Sequence, residues 1–224
     1  MPALEFGTAA TGPPVLLVPD IFGPSPFYEY LARLLAAQGL HVVLPDYFFR
    51  LGPLAQLDHG QAFERRRSLN EIQSVEDLRA AVAWLRGGNA DAPVGLVGFC
   101  MGATFVLDLA STEPDLVTVA YYGLPVPQAS LVAPPTPPMD LVEDLRGPVL
   151  AFWGADDEAV GADNVCRYVA AAATANDHFE AYVLPGLGHG FLATADLSDP
   201  SDPATHTWER TINHLREHLA QEAR

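Results

Sequence analysis

The regular alternation of short apolar runs with longer segments of helical periodicity is the feature that most restricts the fold of this chain. Six of the runs are too short for helices, are mostly rich in Val and Leu, and are bounded by Gly, Pro or Asp. Such runs are typical of buried strands in a mostly parallel sheet. The predicted strands are Val15–Pro19, His41–Pro45, Val94–Phe99, Val117–Tyr122, Val149–Trp153 and Phe179–Leu184.

Five helices are predicted between and after these strands. They run from Ser25-Pro26 to Gly39, from about Glu71 to Arg86, from Cys100 onward, from about Asp163 to Thr174, and around Trp208 to Leu219. The predicted apolar faces are Phe27, Leu31, Leu34 and Leu35 in the first helix, Ile72, Val75, Leu78, Val82 and Leu85 in the second, and Trp208, Ile212, Leu215 and Leu219 in the last. This alternation favours an α/β fold, built as a three-layer α/β/α sandwich with right-handed crossovers.

Two connections are predicted to lack regular structure. Residues 50–69 are polar, and residues 123–147 are rich in proline, which blocks regular hydrogen bonding. The second connection either forms a rigid rim over a site or is a surface excursion, and the surface excursion is the preferred interpretation.

Length and charge exclude several classes of function. A chain of 224 residues suits one α/β domain over residues 1–224. The net charge of −16 repels nucleic acids and anionic lipids, and no apolar stretch is long enough to span a bilayer. Met1 to Ala10 lacks the basic start and apolar region of a signal peptide. Two cysteines are too few for a disulfide framework, so we expect a reduced, cytoplasmic protein without a metal site.

The motif Gly98-Phe99-Cys100-Met101-Gly102 indicates a nucleophile elbow. It follows a predicted strand and precedes a predicted helix, which is the context that this turn requires. The turn is so tight that the positions two residues before and after its centre must be small, and both are glycine here. Cys100 would also lie at a helix N-terminus, where the dipole favours a thiolate. The alternative is a buried, inert cysteine at the end of a strand.

Two later segments supply candidates for an acid and a base. Asp157 follows the strand that ends at Trp153, and we prefer it to Asp156, which we interpret as part of a solvated loop. His189 is flanked by glycines on a late loop, whereas His206, His214 and His218 are predicted to be surface residues of the last helix. The order nucleophile, acid, base matches the α/β-hydrolase fold and predicts a catalytic triad.

An oxyanion hole is required beside such a nucleophile. One donor is predicted to be the backbone N–H of Met101, directly after Cys100. The second is predicted to be the N–H of Ile21, in the loop after the first predicted strand.

These segments together resemble the dienelactone hydrolase family. The resemblance rests on the cysteine elbow and on four other segments, and it runs in order from about Val15 to Leu219. The four segments are Asp20-Ile21-Phe22-Gly23, Leu44-Pro45-Asp46-Tyr47, Tyr121-Tyr122-Gly123 and His189 two residues before Phe191. The resemblance implies hydrolysis of a small-molecule ester or lactone through a cysteinyl acyl-enzyme. It also implies a monomeric, cofactor-free enzyme, with a dimer left open.

The chain departs from the family pattern at two positions. Family enzymes usually carry a glutamate where this chain has Asp20, and that carboxylate is thought to help switch the resting thiol to thiolate. An arginine that grips the substrate carboxylate in well-studied bacterial members is replaced by Ala193. Arg65, Arg66 and Arg67 lie where the family supplies another arginine, so one of them could restore this grip.

The substrate contacts predicted from the sequence are aromatic. Tyr47, Phe48, Tyr122 and Trp153 are expected to form a rim suited to an apolar acyl or aryl group, and Phe191 is expected beside them. Cys166 is interpreted as a small buried hydrophobic residue on a helix.

Other functions remain open at this point. A thioesterase or acyltransferase could use the same triad, and a ligand-binding protein of the same fold could have lost turnover. A nucleotide-binding function is disfavoured because no Gly-rich phosphate loop follows a predicted strand.

Overall fold

A seven-stranded sheet forms the centre of the fold in a computed structural model that describes residues 1–9, 12–126 and 134–220. The strands are β1 (Ala3–Phe6), β2 (Pro14–Val18), β3 (His41–Pro45), β4 (Val94–Phe99), β5 (Leu116–Tyr121), β6 (Val149–Gly154) and β7 (Phe179–Leu184). Their order across the sheet is β1-β3-β2-β4-β5-β6-β7, and every pair is parallel except the antiparallel pair β1 and β3. The predicted mostly parallel sheet is therefore confirmed.

Helices cover both faces of this sheet. They are α1 (Pro26–Ala37), α2 (His59–Arg67), α3 (Glu71–Leu85), α4 (Met101–Thr112), α5 (Ala162–Ala175) and α6 (Pro203–Ala220). Side chains three residues apart on a strand point to opposite faces. A Cβ on Gly95 of β4 would meet Leu215 and Leu219 of α6, whereas one on Gly98 would meet Ala103 and Val106 of α4. The sheet is thus the middle of three layers, as the sequence predicts.

The core supports the strand assignments made from the sequence. Every residue of β3, β4, β5 and β6 is buried, which explains why these strands appear as continuous apolar runs. Predicted and observed bounds of the six predicted strands differ by at most one residue. β1 was not predicted. This strand has only four residues at the edge of the sheet, all of them exposed or partly exposed, so its sequence shows no alternation of apolar and polar residues that would mark a strand.

The prediction that residues 50–69 are irregular is wrong, because they contain α2. Only Ala62 and Arg66 of this helix are buried, so it has no apolar stripe that a periodicity search could detect. The local signal was its cap: the Asp58 side chain accepts a hydrogen bond from the backbone N–H of Gln61 at 3.0 Å.

Three further expectations about burial are wrong. Ile72, predicted to face inward, is 49% exposed, because the buried stripe of α3 passes through Val75, Leu78 and Val82. Cys166 is exposed on α5 instead of buried. His214 is buried, and its burial lowers the pKa of the imidazole to about 4.

The proline-rich connection is described only in part. Residues 127–133 lie outside the described residues, and the remainder includes two short 3-10 turns, Pro138–Asp140 and Val142–Asp144. Among the helices within the described part of the chain, none combines the length and the apolar character that crossing a bilayer requires.

The corrected register of α3 predicts different costs for two similar substitutions. Leu78 is fully buried, so Leu78→Ala should lower the free energy of unfolding by about 2–5 kcal/mol, through lost transfer energy and a cavity. Ile72→Ala, at an exposed position of the same helix, should change it by less than about 0.5 kcal/mol. Urea unfolding followed by circular dichroism measures both, and an equal cost for the two would contradict this register.

Candidate active site

Cys100 lies in a strained turn between β4 and α4. Its backbone has φ 53° and ψ −116°, a left-handed conformation that a non-glycine residue adopts only at a cost of about 1–3 kcal/mol. The turn is held by the Cys100 N–H, which donates to Tyr121 O at 2.9 Å, and by Thr104 N–H, which donates to Cys100 O at 3.1 Å. The side chain is half-exposed at the C-terminal edge of the sheet, where ligands of such sheets bind.

The two glycines of the elbow allow backbones to approach closely. A Cβ on Gly98 would lie 2.6 Å from Gly102 O, and one on Gly102 would lie 2.3 Å from Pro19 O. Neither contact is possible for a side chain. The start of α4 therefore packs directly against the loop after β2, which contains Ile21.

This packing brings the loop that carries Ile21 against the first turn of α4, where Met101 lies. Met101 is the first residue of α4, so its N–H has no acceptor within the helix. In the described residues, no backbone carbonyl accepts the Ile21 N–H.

His189 contacts both other members of the predicted triad. Its Nε2 lies 3.1 Å from Cys100 Sγ, and its Nδ1 lies 2.8 Å from Asp157 Oδ2. Asp157 is buried, whereas Asp156 is exposed, and in the described structure no hydrogen bond or ion pair joins the Asp156 side chain to the histidine. The sulfur, imidazole and carboxylate thus form one continuous line of polar contacts.

The Asp157 carboxylate is fixed before it meets the histidine. Its Oδ1 accepts hydrogen bonds from the backbone N–H groups of Ala159 and Val160, both at 3.0 Å. This leaves Oδ2 for His189. The loop that follows β7 reaches this position because Gly154, at the end of β6, has no side chain: a Cβ there would lie 2.0 Å from Leu187 O.

These contacts decide the charge of the imidazole. Burial alone favours neutral His189, but hydrogen bonds to Asp157 and Cys100, together with their negative charges, raise its pKa to about 10. The imidazolium is therefore the resting form at neutral pH. Since this pKa is raised from 6.5, the stabilisation of the fold by the pair is complete below about pH 6.5 and is lost as the pH rises through about 10.

Asp20 lies in the same loop as Ile21. Burial raises the pKa of its carboxyl, while the Phe22 N–H, the Tyr28 hydroxyl and the positive charges of His189 and His59 oppose this rise. Its Oδ1 accepts the Phe22 N–H at 2.8 Å. The Asp20 side chain therefore caps its own loop, and the positive charge of the candidate base His189 lowers the pKa of its carboxyl. The contributions of Tyr28 and His59 were not predicted, because neither belongs to a local sequence motif.

The predicted aromatic rim is not exposed in the structure. Tyr47, Phe48, Tyr122 and Trp153 are at most 2% exposed, and Trp153 Nε1 donates to Gly123 O at 2.8 Å, so these four do not form an exposed rim. Tyr122 packs edge-on against the His189 ring, with centroids 5.1 Å apart, and against Phe191 at 5.3 Å. Among the predicted aromatic contacts, Tyr122 therefore packs against the candidate base His189, and Phe191 packs against Tyr122.

The three consecutive arginines have separate partners. Arg65 donates to Ile21 O at 2.9 Å and to Gly52 O at 3.2 Å. Arg66 is buried and pairs with Glu71 at 2.9 Å, and Arg67 pairs with Glu64 at 2.6 Å. Arg65 thus reaches the loop of the site, but its guanidinium binds backbone carbonyls. Ala193 is exposed beyond Phe191.

Within residues 1–9, 12–126 and 134–220, no three His, Cys, Asp or Glu side chains are grouped so as to bind an ion.

Comparison with known proteins gives one consistent result. The model of the dienelactone hydrolase family matches residues 1–219. A carboxymethylenebutenolidase of Rhodococcus opacus is 33% identical over 213 residues, which cover 93% of this chain and 82% of the relative. Carboxymethylenebutenolidase 2 of Cupriavidus pinatubonensis is 38% identical over 200 residues, covering 88% and 80%.

A solved structure agrees with these relatives. A Klebsiella pneumoniae protein assigned as a dienelactone hydrolase superposes with a TM-score of 0.81 at 30% identity, over 99% of this chain and 93% of that one.

The contact between Asp157 and His189 predicts a paired effect of two substitutions. Asp157→Asn should lower kcat/KM for an alkyl ester by about a thousandfold or more, because the imidazole loses its orienting carboxylate. It should also move the alkaline limb of the pH–rate profile to lower pH, because an anion that raises the pKa of His189 is removed.

Asp156→Asn is the matched control. It removes the neighbouring carboxylate from the same exposed loop and should leave both the rate and the profile near those of the parent. Steady-state rates between pH 6 and pH 11 measure both variants. A large loss in Asp156→Asn with little in Asp157→Asn would contradict the assignment.

Proposed function

We propose that this chain, which belongs to the dienelactone hydrolase family, cleaves small-molecule esters or lactones through a thioester on Cys100. Family membership makes it a carboxylic ester hydrolase. The observation that supports the cysteine mechanism is the line of contacts from Cys100 Sγ through His189 to Asp157, with distances of 3.1 and 2.8 Å.

In the first half of the proposed cycle, the Cys100 thiolate attacks the carbonyl carbon of the ester. The carbonyl oxygen becomes an oxyanion, which the N–H groups of Ile21 and Met101 stabilise by roughly 3 kcal/mol per donor. The intermediate collapses, the bond to the leaving oxygen breaks, and the His189 imidazolium gives that oxygen its proton. A thioester and an alcohol result, or a ring-opened thioester when the substrate is a lactone.

In the second half, water cleaves the thioester. His189, now neutral, takes a proton from water as the hydroxide equivalent attacks the acyl carbon, and the acid and the Cys100 thiolate are released. The charge of Cys100 explains how one histidine serves both steps. A thiolate at Cys100 raises the pKa of His189, whereas the uncharged thioester does not, so the histidine is a stronger acid and a weaker base in the acyl-enzyme, closer to the range in which it accepts a proton from water and passes it on.

The charge around the site supports a preference for neutral substrates. The nearby guanidinium of Arg65 binds two backbone carbonyls, and Ala193 offers no charge. A missing charge-assisted hydrogen bond costs about 1.5–3 kcal/mol, which corresponds to about ten- to a hundredfold in affinity. The net charge of −16 adds a long-range repulsion of anions that salt screens.

Two related activities fit the same residues. A thioesterase would form the same acyl-enzyme from a thioester substrate, and an acyltransferase would pass the acyl group to an acceptor other than water. A protein that binds the substrate without turnover is the alternative from a different class.

Steady-state kinetics with a neutral lactone, a neutral aryl ester and an anionic dienelactone tests the proposal. The neutral substrates should have the higher kcat/KM, the disadvantage of the anion should shrink at high ionic strength, and Cys100→Ala should abolish turnover of all three. A higher kcat/KM for the anion, lost in Arg65→Met, would show that Arg65 grips the substrate and would contradict the preference.

Turnover that persists in Cys100→Ala would contradict the mechanism itself. The absence of turnover in the parent on every substrate, with substrate binding intact, would favour the binding protein.

A further inference from the structure

The loop of residues 19–23, which carries the proposed oxyanion donor Ile21, is held by side chains from two other elements. A peptide group is planar, so the carbonyl of Asp20 and the N–H of Ile21 move as one unit. Whatever holds the Asp20 carbonyl therefore also sets the direction of the Ile21 N–H.

The Tyr47 hydroxyl binds this carbonyl, which also accepts the Gly23 N–H at 3.0 Å. Tyr47 lies two residues after the end of β3, is 1% exposed, and its hydroxyl lies 2.7 Å from Asp20 O and 2.7 Å from Pro19 O. Its ring packs edge-on against Phe105 of α4, with centroids 5.6 Å apart. Burial and the nearby negative charges of Asp20 and Cys100 raise the pKa of Tyr47 well above its ordinary value, so the hydroxyl stays a donor at working pH.

Arg65 holds the next peptide group. Its guanidinium donates to Ile21 O at 2.9 Å from one nitrogen and to Gly52 O at 3.2 Å from another. The same group lies 3.9 Å from the centroid of the Phe48 ring, which limits its motion. The Phe22 N–H of this second peptide donates to Asp20 Oδ1. The peptide groups before and after Ile21 are thus fixed by contacts from outside and inside the loop.

We propose that Tyr47 and Arg65 are positioning residues that align the Ile21 N–H for the oxyanion, without touching the substrate. This inference rests on the proposed ester hydrolysis and assigns Tyr47 a different role from the substrate contact predicted from the sequence. Oxyanion donors act because they are oriented before the charge develops. A loop that can rotate loses that orientation even when all donors remain.

Two substitutions remove these contacts with little change of volume. Tyr47→Phe keeps the buried ring and removes the hydroxyl. Arg65→Lys keeps the charge but cannot bind Ile21 O and Gly52 O together while stacking on Phe48. Tyr168→Phe is the matched control, because Tyr168 is also fully buried but its hydroxyl has no hydrogen-bond partner in the described structure.

Two reactions of Cys100 separate positioning from a general loss of structure. Ester cleavage forms an oxyanion, whereas alkylation by iodoacetamide displaces iodide at a saturated carbon and forms none. Alkylation therefore reports the thiolate alone. It is measured in a Cys166→Ala background, since Cys166 is exposed on α5.

We expect Tyr47→Phe and Arg65→Lys each to lower kcat/KM for a neutral ester by about tenfold to a hundredfold. The alkylation rate of Cys100 should stay within about twofold of the parent, and Tyr168→Phe should change neither reaction. If Tyr47→Phe does not fold, Arg65→Lys makes the same comparison.

Unchanged ester cleavage in the folded variants would overturn the inference, and so would alkylation that falls as much as ester cleavage. A failure of the proposed function is a different result, because the parent would then show no turnover that depends on Cys100.

Discussion

The close approach of backbones around Cys100 is the constraint on which the rest of the site depends. Gly102 brings the start of α4 against the carbonyl of Pro19, and Gly98 lets α4 begin directly over β4. The turn between them forces Cys100 into a conformation with φ 53°. A local cost of about 1–3 kcal/mol is offset by the surrounding sheet, which is buried throughout β4 and β5. In return, one turn places a thiol, a helix N-terminus and a second loop side by side.

A second close approach of backbones, again at a glycine, occurs on the other side of the site. Gly154 lets the loop after β7 pass against the end of β6, and this contact brings His189 to Asp157. Two backbone N–H groups hold the carboxylate, which in turn orients the imidazole. Electrostatics then follows from geometry. Hydrogen bonds and negative charge from Asp157 and Cys100 raise the pKa of His189 despite its burial.

The sequence was informative where burial or backbone geometry restricts residue choice. Continuous apolar runs located β3 to β6, because strands covered on both faces tolerate little else. The elbow and the glycine-flanked His189 were recognisable because tight turns demand small residues.

Features that depend on contacts distant in sequence were not predictable. Helix α2 lacks an apolar stripe that the sequence could reveal. The burial of Tyr47 beneath the loop of residues 19–23 depends on its contacts with Pro19 and Asp20, which lie 28 and 27 residues earlier in the chain. Exposed Cys166 was misjudged because cysteine is usually buried, and composition gives no direction to a side chain.

The acyl group is proposed to be carried by Cys100. The most direct test is mass spectrometry of the enzyme, quenched in acid while it turns over a slowly hydrolysed aryl ester. We expect a mass increase equal to the acyl group, located by peptide mapping on Cys100 and absent in Cys100→Ala. In His189→Ala the adduct should not form at the parental rate, because the imidazolium no longer pairs with the thiolate. An acyl group found on another residue, or full turnover with no Cys100 adduct at any quench time and with Cys100→Ala still active, would contradict the account.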